Sequence, residues 1–169
     1  MSDKSQIGDD RRAVVLVAST RAARGTYPDR SGPVLVDRLR EWGFTVPDPI
    51  VVPDGDEFGR ALRVALASEP DLVLTSGGTG LTPTDQTPEM TAPLLDLLVP
   101  GVAEALRAAG IAKGVPTAML SRGLTGLAGR TFVANLPGSK GAVIDALEVL
   151  EQVLGHILVQ IPGSDHESA

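Results

Sequence analysis

The chain has 169 residues, of which 43% are apolar and only 3% aromatic, and its formal net charge is −6. This length suits one domain with its own core, built mainly from Val, Leu, Ile and Ala. The acidic balance, without any Lys/Arg-rich block, argues against nucleic-acid binding, and no apolar run is long enough for a transmembrane helix. The lack of cysteine excludes disulfides and thiolate metal ligands.

The two ends of the chain are polar and lack periodic apolar residues. We predict flexible tails at 1–12 and 162–169, with a single domain over 13–161. The N-terminal stretch has no apolar centre of the kind that a secretory signal needs. We therefore expect a cytoplasmic protein without membrane contacts.

Apolar runs alternate with helical patterns along the first half of the chain. The run Ala13–Ala18 is continuously apolar, which is typical of a strand buried on both faces. Ser31 is predicted to cap a helix that ends at Gly43. A second strand is centred on residues 50–52, and apolar residues at helical spacing over 58–66 predict a second helix.

The second half continues the same alternation. A third strand is predicted over 71–74, helices over 88–98 and 101–109, a strand over 131–136 and a last helix that includes 143–154. Residues 111–129 and 156–161 give no clear assignment. Alternation of this kind predicts a three-layer α/β/α domain with a mainly parallel central sheet.

Polar and flexible residues follow each predicted strand. Ser19 follows the first strand, Asp54 the second, Ser76 the third and Asn135 a late one. In open α/β sheets, ligands bind beyond the carboxyl ends of the strands. If the strands are parallel, these loops share one rim, and the sequence predicts a binding site there.

The glycine-rich loop after the third strand is the strongest local signal for ligand binding. It contains Ser76, Gly77, Gly78, Thr79 and Gly80, and we call it the glycine loop. It matches neither the Walker A pattern nor the dinucleotide fingerprint. A tight turn is the simpler interpretation, but successive main-chain N–H groups beside hydroxyls favour an anion such as phosphate.

A second turn, Asn135-Leu136-Pro137-Gly138-Ser139, precedes the last predicted helix. Ser139 is placed to cap that helix, whose first N–H groups would then face the rim. The turn is therefore either a helix cap alone or part of a phosphate or nucleotide pocket. Lys140 either neutralises a phosphate or is solvated.

Two aspartates stand near these loops. Asp54 follows the second strand, and Asp85 comes five residues after the glycine loop. A carboxylate beside a phosphate loop commonly holds Mg²⁺, which is satisfied by one or two carboxylates together with phosphate oxygens. This set suits phosphoryl or nucleotidyl transfer. His156 stands in an apolar stretch and is expected to be a packed residue, and His166 lies in the tail. With no cysteine and no well-placed histidine, thiolate catalysis and His-activated serine catalysis are disfavoured.

Four segments together resemble the MogA/MoaB family of molybdenum-cofactor biosynthesis proteins, which includes the gephyrin G domain. The segments are TSGGTGLTPTDQTPE, ANLPGSKGAV, VVPD and STRAARGTYPDRSG. The resemblance runs from about Val14 to Leu154. It implies a three-layer α/β fold, a homotrimer or hexamer, and Mg²⁺-dependent adenylylation of molybdopterin by ATP, which releases pyrophosphate.

The resemblance also implies roles for single residues. Asp85 would be the essential acid beside the metal and the phosphates, and Asp54 the second acid. The residues implied in substrate binding are Ser19, Ser76, Gly77, Gly78, Thr79, Gly80, Asn135, Pro137, Gly138 and Ser139.

The chain departs from the family pattern at two positions. Many members have aspartate where this chain has Thr20, and arginine where it has Thr84. Loss of the guanidinium removes a bidentate phosphate contact, for which Arg122 or Lys140 is a possible substitute. Two alternatives stay open: a MoaB-like protein that binds molybdopterin or a nucleotide without chemistry, and a CinA-type Mg²⁺-dependent nucleotide enzyme.

Overall fold

The computed structural model describes residues 7–161, and the predicted tail at 162–169 lies outside the described residues. Within this range the chain forms three layers, helices on both sides of a mainly parallel sheet, which confirms the predicted fold class. Residues 7–12 were assigned to the N-terminal tail, yet they join the domain. The main-chain N–H of Gly8 donates to the carbonyl of Trp42 over 2.7 Å, and Arg12 forms a parallel bridge with Thr45.

Six strands form a single sheet in the order β2-β1-β3-β6-β5-β4. They are β1 (Ala13–Ala18), β2 (Ile50–Val52), β3 (Leu72–Ser76), β4 (Leu97–Leu98), β5 (Thr125–Ala128) and β6 (Thr131–Leu136). The pairs among β2, β1, β3 and β6 are parallel, whereas β5 pairs antiparallel with β6, and β4 pairs antiparallel with β5. The parallel central strands β3 and β6 are buried along their whole length, which explains their continuous apolar runs.

Helices cover both faces of this sheet. They are α1 (Thr20–Ala23), α2 (Gly32–Glu41), α3 (Asp56–Ala67), α4 (Thr87–Thr91), α5 (Pro100–Ala112) and α6 (Lys140–Gln160). Helices α2 and α6 pack on one face through residues such as Leu35, Leu39 and Leu150. Helix α3 packs on the other face through Phe58 and Leu62, both fully buried. No helix in the range 7–161 is long and apolar enough to cross a membrane.

The helix predicted over 88–98 is wrong in its second half. Helix α4 ends at Thr91, a 3-10 turn Ala92–Leu94 follows, and the chain then enters β4. Pro93 has no N–H to continue an α-helical ladder. Leu97 pairs with Leu127 of β5, so a long-range strand pairing overrides the local apolar pattern.

Helix α5 is longer at both ends than the helix predicted over 101–109. It begins at Pro100 and runs through Gly110 instead of stopping there. A Cβ at Gly110 would lie 2.6 Å from the Cβ of Ala118, in the 3-10 turn Pro116–Leu120 that packs on α5. This glycine therefore allows close packing and does not end the helix. The unassigned region 111–129 holds that 3-10 turn and β5.

Helix α6 also runs on through the ambiguous residues near 156. His156 was expected to be packed in the core, but it is exposed and its Nε2 lies 2.8 Å from Nε2 of Gln160. The core contacts of this segment come from Leu154 and Leu158, which lie one helical turn apart.

Candidate functional site

The loops after β1, β2, β3 and β6 meet at one rim of the sheet. The N–H of Ser19 donates to the carbonyl of Val52 over 2.9 Å, and the N–H of Gly77 donates to the carbonyl of Leu136 over 3.0 Å. A Cβ at Gly138 would lie 3.3 Å from the Cα of Gly77. Parallel pairing of the four strands produces this convergence, as the sequence predicted.

The glycine loop lies at the centre of the rim, and its glycines are required by close contacts. Gly77 has φ +90 and Gly78 has φ +68, angles that other residues rarely adopt. A Cβ at Gly77 would lie 2.3 Å from the carbonyl oxygen of Ala18, and a Cβ at Gly78 would lie 2.3 Å from Oγ1 of Thr87. A side chain at either position would clash with these atoms, so only glycine fits at Gly77 and Gly78.

The main chain of the glycine loop offers unpaired donors. Within residues 7–161, no protein acceptor takes the N–H of Gly78, Thr79 or Gly80. Successive N–H groups with left-handed glycine angles form a concavity that suits an anion.

The Ser76 hydroxyl and the Thr79 main chain are both bound within the protein. Oγ of Ser76 is buried, 2.9 Å from Oγ of Ser31 and 3.0 Å from the carbonyl oxygen of Pro137. Thr79 is buried as well, and its carbonyl accepts from the N–H of Arg122 over 2.9 Å. The Ser76 hydroxyl is therefore not available for the predicted contact with phosphate.

Asp54 is half-buried beside the glycine loop. Its Oδ2 accepts from the N–H of Thr20 over 3.2 Å and from Oγ1 of Thr20 over 3.0 Å, while Oγ1 of Thr20 accepts from the N–H of Asp54 over 3.2 Å. Its Oδ1 is 3.0 Å from the position that a Cβ on Gly78 would take. Thr20, noted as a departure from the family, thus orients this carboxylate.

Asp85 lies beside Gly80, at the end of a mostly exposed segment, residues 81–85, that we call the acid loop. Its Oδ2 accepts from the N–H of Thr82 over 3.1 Å and from Oγ1 of Thr82 over 2.7 Å. The same oxygen is 2.7 Å from the position of a Cβ on Gly80. The carboxylate is therefore fixed to its own loop and held against the glycine loop.

Arg122, predicted from the sequence only as a substitute phosphate contact, binds the residues around Asp85. Its Nε donates to the carbonyl of Gly80 over 2.9 Å, its Nη2 donates to the carbonyl of Asp85 over 2.8 Å, and its Nη1 pairs with Oε1 of Glu89. The hydrogen bond from Arg122 lowers the pKa of Glu89 below its usual value. Because residues 111–129 gave no assignment, no local signal placed this arginine across from the acid loop.

Asn135 is buried, and its side chain is used within the protein. Its Oδ1 accepts from the N–H of Leu124 over 3.0 Å, and its Nδ2 lies 3.0 Å from Oγ1 of Thr75 and 3.2 Å from Oγ1 of Thr91. The side chain thus joins β3, β6 and α4 beneath the rim, whereas the turn that follows it, Pro137 to Ser139, lies at the surface.

A cleft of about 370 Å³ opens on the α2/α6 side of the glycine loop, and it contains Ser19, Gly138 and Ser139. Oγ of Ser139 accepts from the N–H of Ala142 over 3.2 Å, so Ser139 caps α6 as predicted. Ser31 was expected to cap α2 but does not.

Asp29 takes the capping role at α2. Its Oδ1 accepts from the N–H groups of Ser31 and Gly32 over 3.1 and 3.0 Å. The cleft wall also carries cationic side chains, because Arg21 and Arg30 flank the ring of Tyr27 at 5.3 and 5.4 Å, and Lys140 lies nearby. Helix N-termini and cations make this cleft suitable for anions.

The carboxylates beside the glycine loop are the candidate ligands for a divalent cation. Among residues 7–161, no three His, Asp or Glu side chains come together in a group that could hold a metal ion. Two carboxylates, Asp54 and Asp85, lie beside the glycine loop, and Mg²⁺ needs only one or two carboxylates where phosphate oxygens and water complete its shell. The residues therefore fit Mg²⁺ that arrives with a phosphate ligand.

A family model described as "Probable molybdopterin binding domain" matches residues 14–156. The chain is 39% identical over 155 residues to the molybdenum cofactor biosynthesis bifunctional protein of Synechococcus elongatus; the match covers 91% of this chain and 48% of that protein. The chain thus spans about half the length of that relative. It is also 33% identical over 154 residues to the molybdopterin adenylyltransferase of Helicobacter pylori strain J99, with 89% of this chain and 87% of that protein covered.

A solved structure of a molybdopterin biosynthesis protein is also similar to this chain. The molybdopterin biosynthesis Mog protein of Mycobacterium ulcerans superposes with a TM-score of 0.85 at 50% sequence identity. That match covers 89% of this chain and 99% of the other.

Proposed function

The chain belongs to the molybdopterin-binding domain family of molybdenum cofactor biosynthesis proteins, and we propose that it is a molybdopterin adenylyltransferase. The observation that carries the proposal is the glycine loop, with unpaired main-chain N–H groups, two carboxylates beside it and a cationic cleft next to it. A nucleotidyl transfer between two phosphorylated substrates needs this combination of anion sites and acids.

The reaction joins the terminal phosphate of molybdopterin to the α-phosphorus of ATP. A phosphate oxygen of molybdopterin attacks in line, the bond from the α-phosphorus to the bridging oxygen of the β-phosphate breaks, and pyrophosphate leaves. The substrate brings its own nucleophile, so the protein has to position two anions and stabilise the charge that develops.

The charge that develops on the phosphates is stabilised by the glycine loop and by Mg²⁺ at the two carboxylates beside it. The N–H groups of Gly78, Thr79 and Gly80 are available to phosphate oxygens. Asp85, with help from Asp54, would hold Mg²⁺, which supplies positive charge to the reacting phosphates. Thr20 and Thr82 keep the two carboxylates oriented toward the loop.

The second substrate phosphate is assigned to the cleft. Ser139 and the first turn of α6 lie at its wall together with Gly138 and Ser19. Backbone N–H groups at a helix start and the Lys140 ammonium both favour an anion. This arrangement supports one phosphorylated group at the glycine loop and a second one in the cleft.

A binding protein without chemistry is the second candidate, and one observation favours it. Thr84, at the position where many relatives carry arginine, is exposed with its Oγ1 3.2 Å from Oγ1 of Thr82. A hydroxyl cannot replace the bidentate phosphate contact of a guanidinium. Calorimetry with molybdopterin and an adenylylation assay on the same preparation distinguish the two candidates, since tight binding without pyrophosphate release supports the second.

A homotrimer or hexamer in the cytoplasm is part of the proposal. Apolar side chains are exposed beside the edge strand β4 and the neighbouring 3-10 turn, and Leu97, Leu98, Met119 and Leu120 are each about half exposed. An unpaired strand edge with exposed leucines favours association. Sedimentation of the wild type and of Leu98→Asp tests this, and a monomeric wild type would contradict it.

The test of the activity is incubation with ATP, Mg²⁺ and molybdopterin, followed by chromatography for adenylylated molybdopterin and an assay for pyrophosphate. We expect both products, and neither when EDTA replaces Mg²⁺. Molybdopterin recovered unchanged in the complete mixture would contradict the proposed function.

A further inference from the structure

Arg122 connects three separate pieces of the site. It lies in the segment between the 3-10 turn Pro116–Leu120 and β5, far in sequence from the residues it contacts. Its guanidinium reaches the carbonyl of Gly80, the carbonyl of Asp85 and the carboxylate of Glu89 in α4. One planar group therefore holds both ends of the acid loop and the start of the next helix.

The acid loop has few other attachments to the rest of the domain. Leu81 is 65% exposed, and Thr82, Pro83 and Thr84 are also exposed. Its main-chain bond from the N–H of Asp85 to the carbonyl of Thr82, 3.0 Å, is internal to the loop. Such a segment lacks the buried contacts that would fix its position by packing.

The carboxylate of Asp85 moves with this loop, because both of its described hydrogen bonds come from Thr82. Fixing the loop at Gly80 and at the Asp85 carbonyl therefore fixes the carboxylate relative to the glycine loop. The guanidinium uses its charge on carbonyls and on Glu89, so a direct phosphate contact is not needed to explain it.

We propose that Arg122 is the positioning residue for Asp85: it holds the acid loop so that this carboxylate faces the phosphates during adenylyl transfer. This inference rests on the proposed function. The planar fork is essential, since the two carbonyls and the carboxylate are bound through three different nitrogens, which a lysine ammonium cannot reproduce.

The experiment measures kcat and the KM for molybdopterin in Arg122→Ala and Arg122→Lys, with thermal unfolding of each variant. We expect kcat to fall by up to about 100-fold, as misplacement of a reacting group by about 1 Å does, with little change in the KM for molybdopterin. Both variants should unfold close to the wild-type temperature, and Arg122→Lys should lose kcat as Arg122→Ala does. Guanidinium ion added to Arg122→Ala should restore part of kcat.

A matched control removes an arginine with similar partners elsewhere. Arg40 donates to the carbonyl of Val46 over 3.1 Å and pairs with Asp48 over 3.2 Å. Arg40→Ala should leave kcat unchanged. Equal losses of kcat in Arg40→Ala and Arg122→Ala would overturn the proposal, because a general effect on stability would then explain both.

A double-mutant cycle with Asp85→Asn separates this inference from the proposed function. If Arg122 acts through Asp85, Arg122→Ala costs nothing further in the Asp85→Asn background. Additive losses would overturn the positioning role while Asp85→Asn alone still supports the function. If wild type forms no adenylylated product, the proposed function and the positioning role that rests on it are both overturned.

Discussion

The two sides of the glycine loop are held in place by different kinds of contact. On the cleft side, Ser31 and Ser76 are buried and lie within hydrogen-bond distance of each other. Helix α6, capped there by Ser139, is anchored by fully buried leucines. Those contacts belong to the core, so this side is as rigid as the fold.

On the acid side, the contacts are few and close to solvent. Asp54 is oriented by Thr20, and Asp85 by Thr82 and by Arg122 acting on its carbonyl. These groups bury little apolar surface. The difference teaches that changes on the acid side should alter turnover and leave stability intact, whereas changes on the cleft side should alter stability as well.

The largest expected effect is that of Asp85→Asn on turnover. We expect AMP transfer to fall by about 10³-fold, equivalent to about 4 kcal/mol, because the carboxylate assigned to the metal is lost. The unfolding temperature should stay within about 2 °C of the wild type, since the changed group is close to the surface. Kinetics and thermal unfolding measure both quantities. Asp48→Asn, an exposed carboxylate away from the rim, is the control, and near-normal turnover in Asp85→Asn would remove Asp85 from the mechanism.

Gly77→Ala tests the rigid centre between the two sides. Its φ of +90 and the Cβ position 2.3 Å from the carbonyl of Ala18 both oppose a side chain. We expect the free energy of unfolding to fall by about 3 kcal/mol, of which the left-handed angle alone accounts for about 1–2 kcal/mol. Gly114→Ala is the matched control, because Gly114 has φ +87 with nothing within 4 Å. Equal losses in urea unfolding would show that the contact with Ala18 has no effect.

Thr20→Val sharpens the acid side of the comparison. It removes the hydroxyl that lies 3.0 Å from Oδ2 of Asp54 while conserving volume. Without this bond the Asp54 carboxylate loses its orientation, so turnover should fall about 10-fold, while stability should change little because the changed group lies near the surface. Thr20→Ser retains the hydroxyl and should stay near wild type. A loss of the same size in Thr20→Ser would assign the effect to the methyl group.

The smallest expected effect concerns the cap of α6. Ser139→Ala should lower the free energy of unfolding by about 1 kcal/mol, because the N–H of Ala142 loses its acceptor. Ser139→Asp should keep the cap and the stability, yet slow turnover, since its charge would repel a phosphate in the cleft. Urea unfolding and steady-state kinetics separate these results. Faster turnover in Ser139→Asp would contradict an anion in this cleft.

Part of the site could be predicted from the sequence because its signals are local. Gly77 and Gly78 indicate a main-chain conformation that favours glycine, and Ser139 indicates a helix cap. Both signals come from neighbouring residues. The alternation of apolar runs predicts a parallel sheet, and parallel strands bring their carboxyl ends to one rim. The predicted cap by Ser31 was wrong because its hydroxyl bonds with Asp29 and Ser76 instead, and Pro33 at the second helical position has no N–H to donate.

What the sequence by itself determined is the layered α/β fold, the glycine loop and the two aspartates that follow strands or the loop itself, Asp54 and Asp85, all encoded by neighbouring residues. Only the tertiary structure decided that Arg122 crosses to Gly80 and Asp85, and that Leu97 and Leu98 form a strand against β5. Local propensity reaches only a few residues along the chain. Contacts between residues separated by tens of positions follow from how the layers pack, and no pattern within either segment records them.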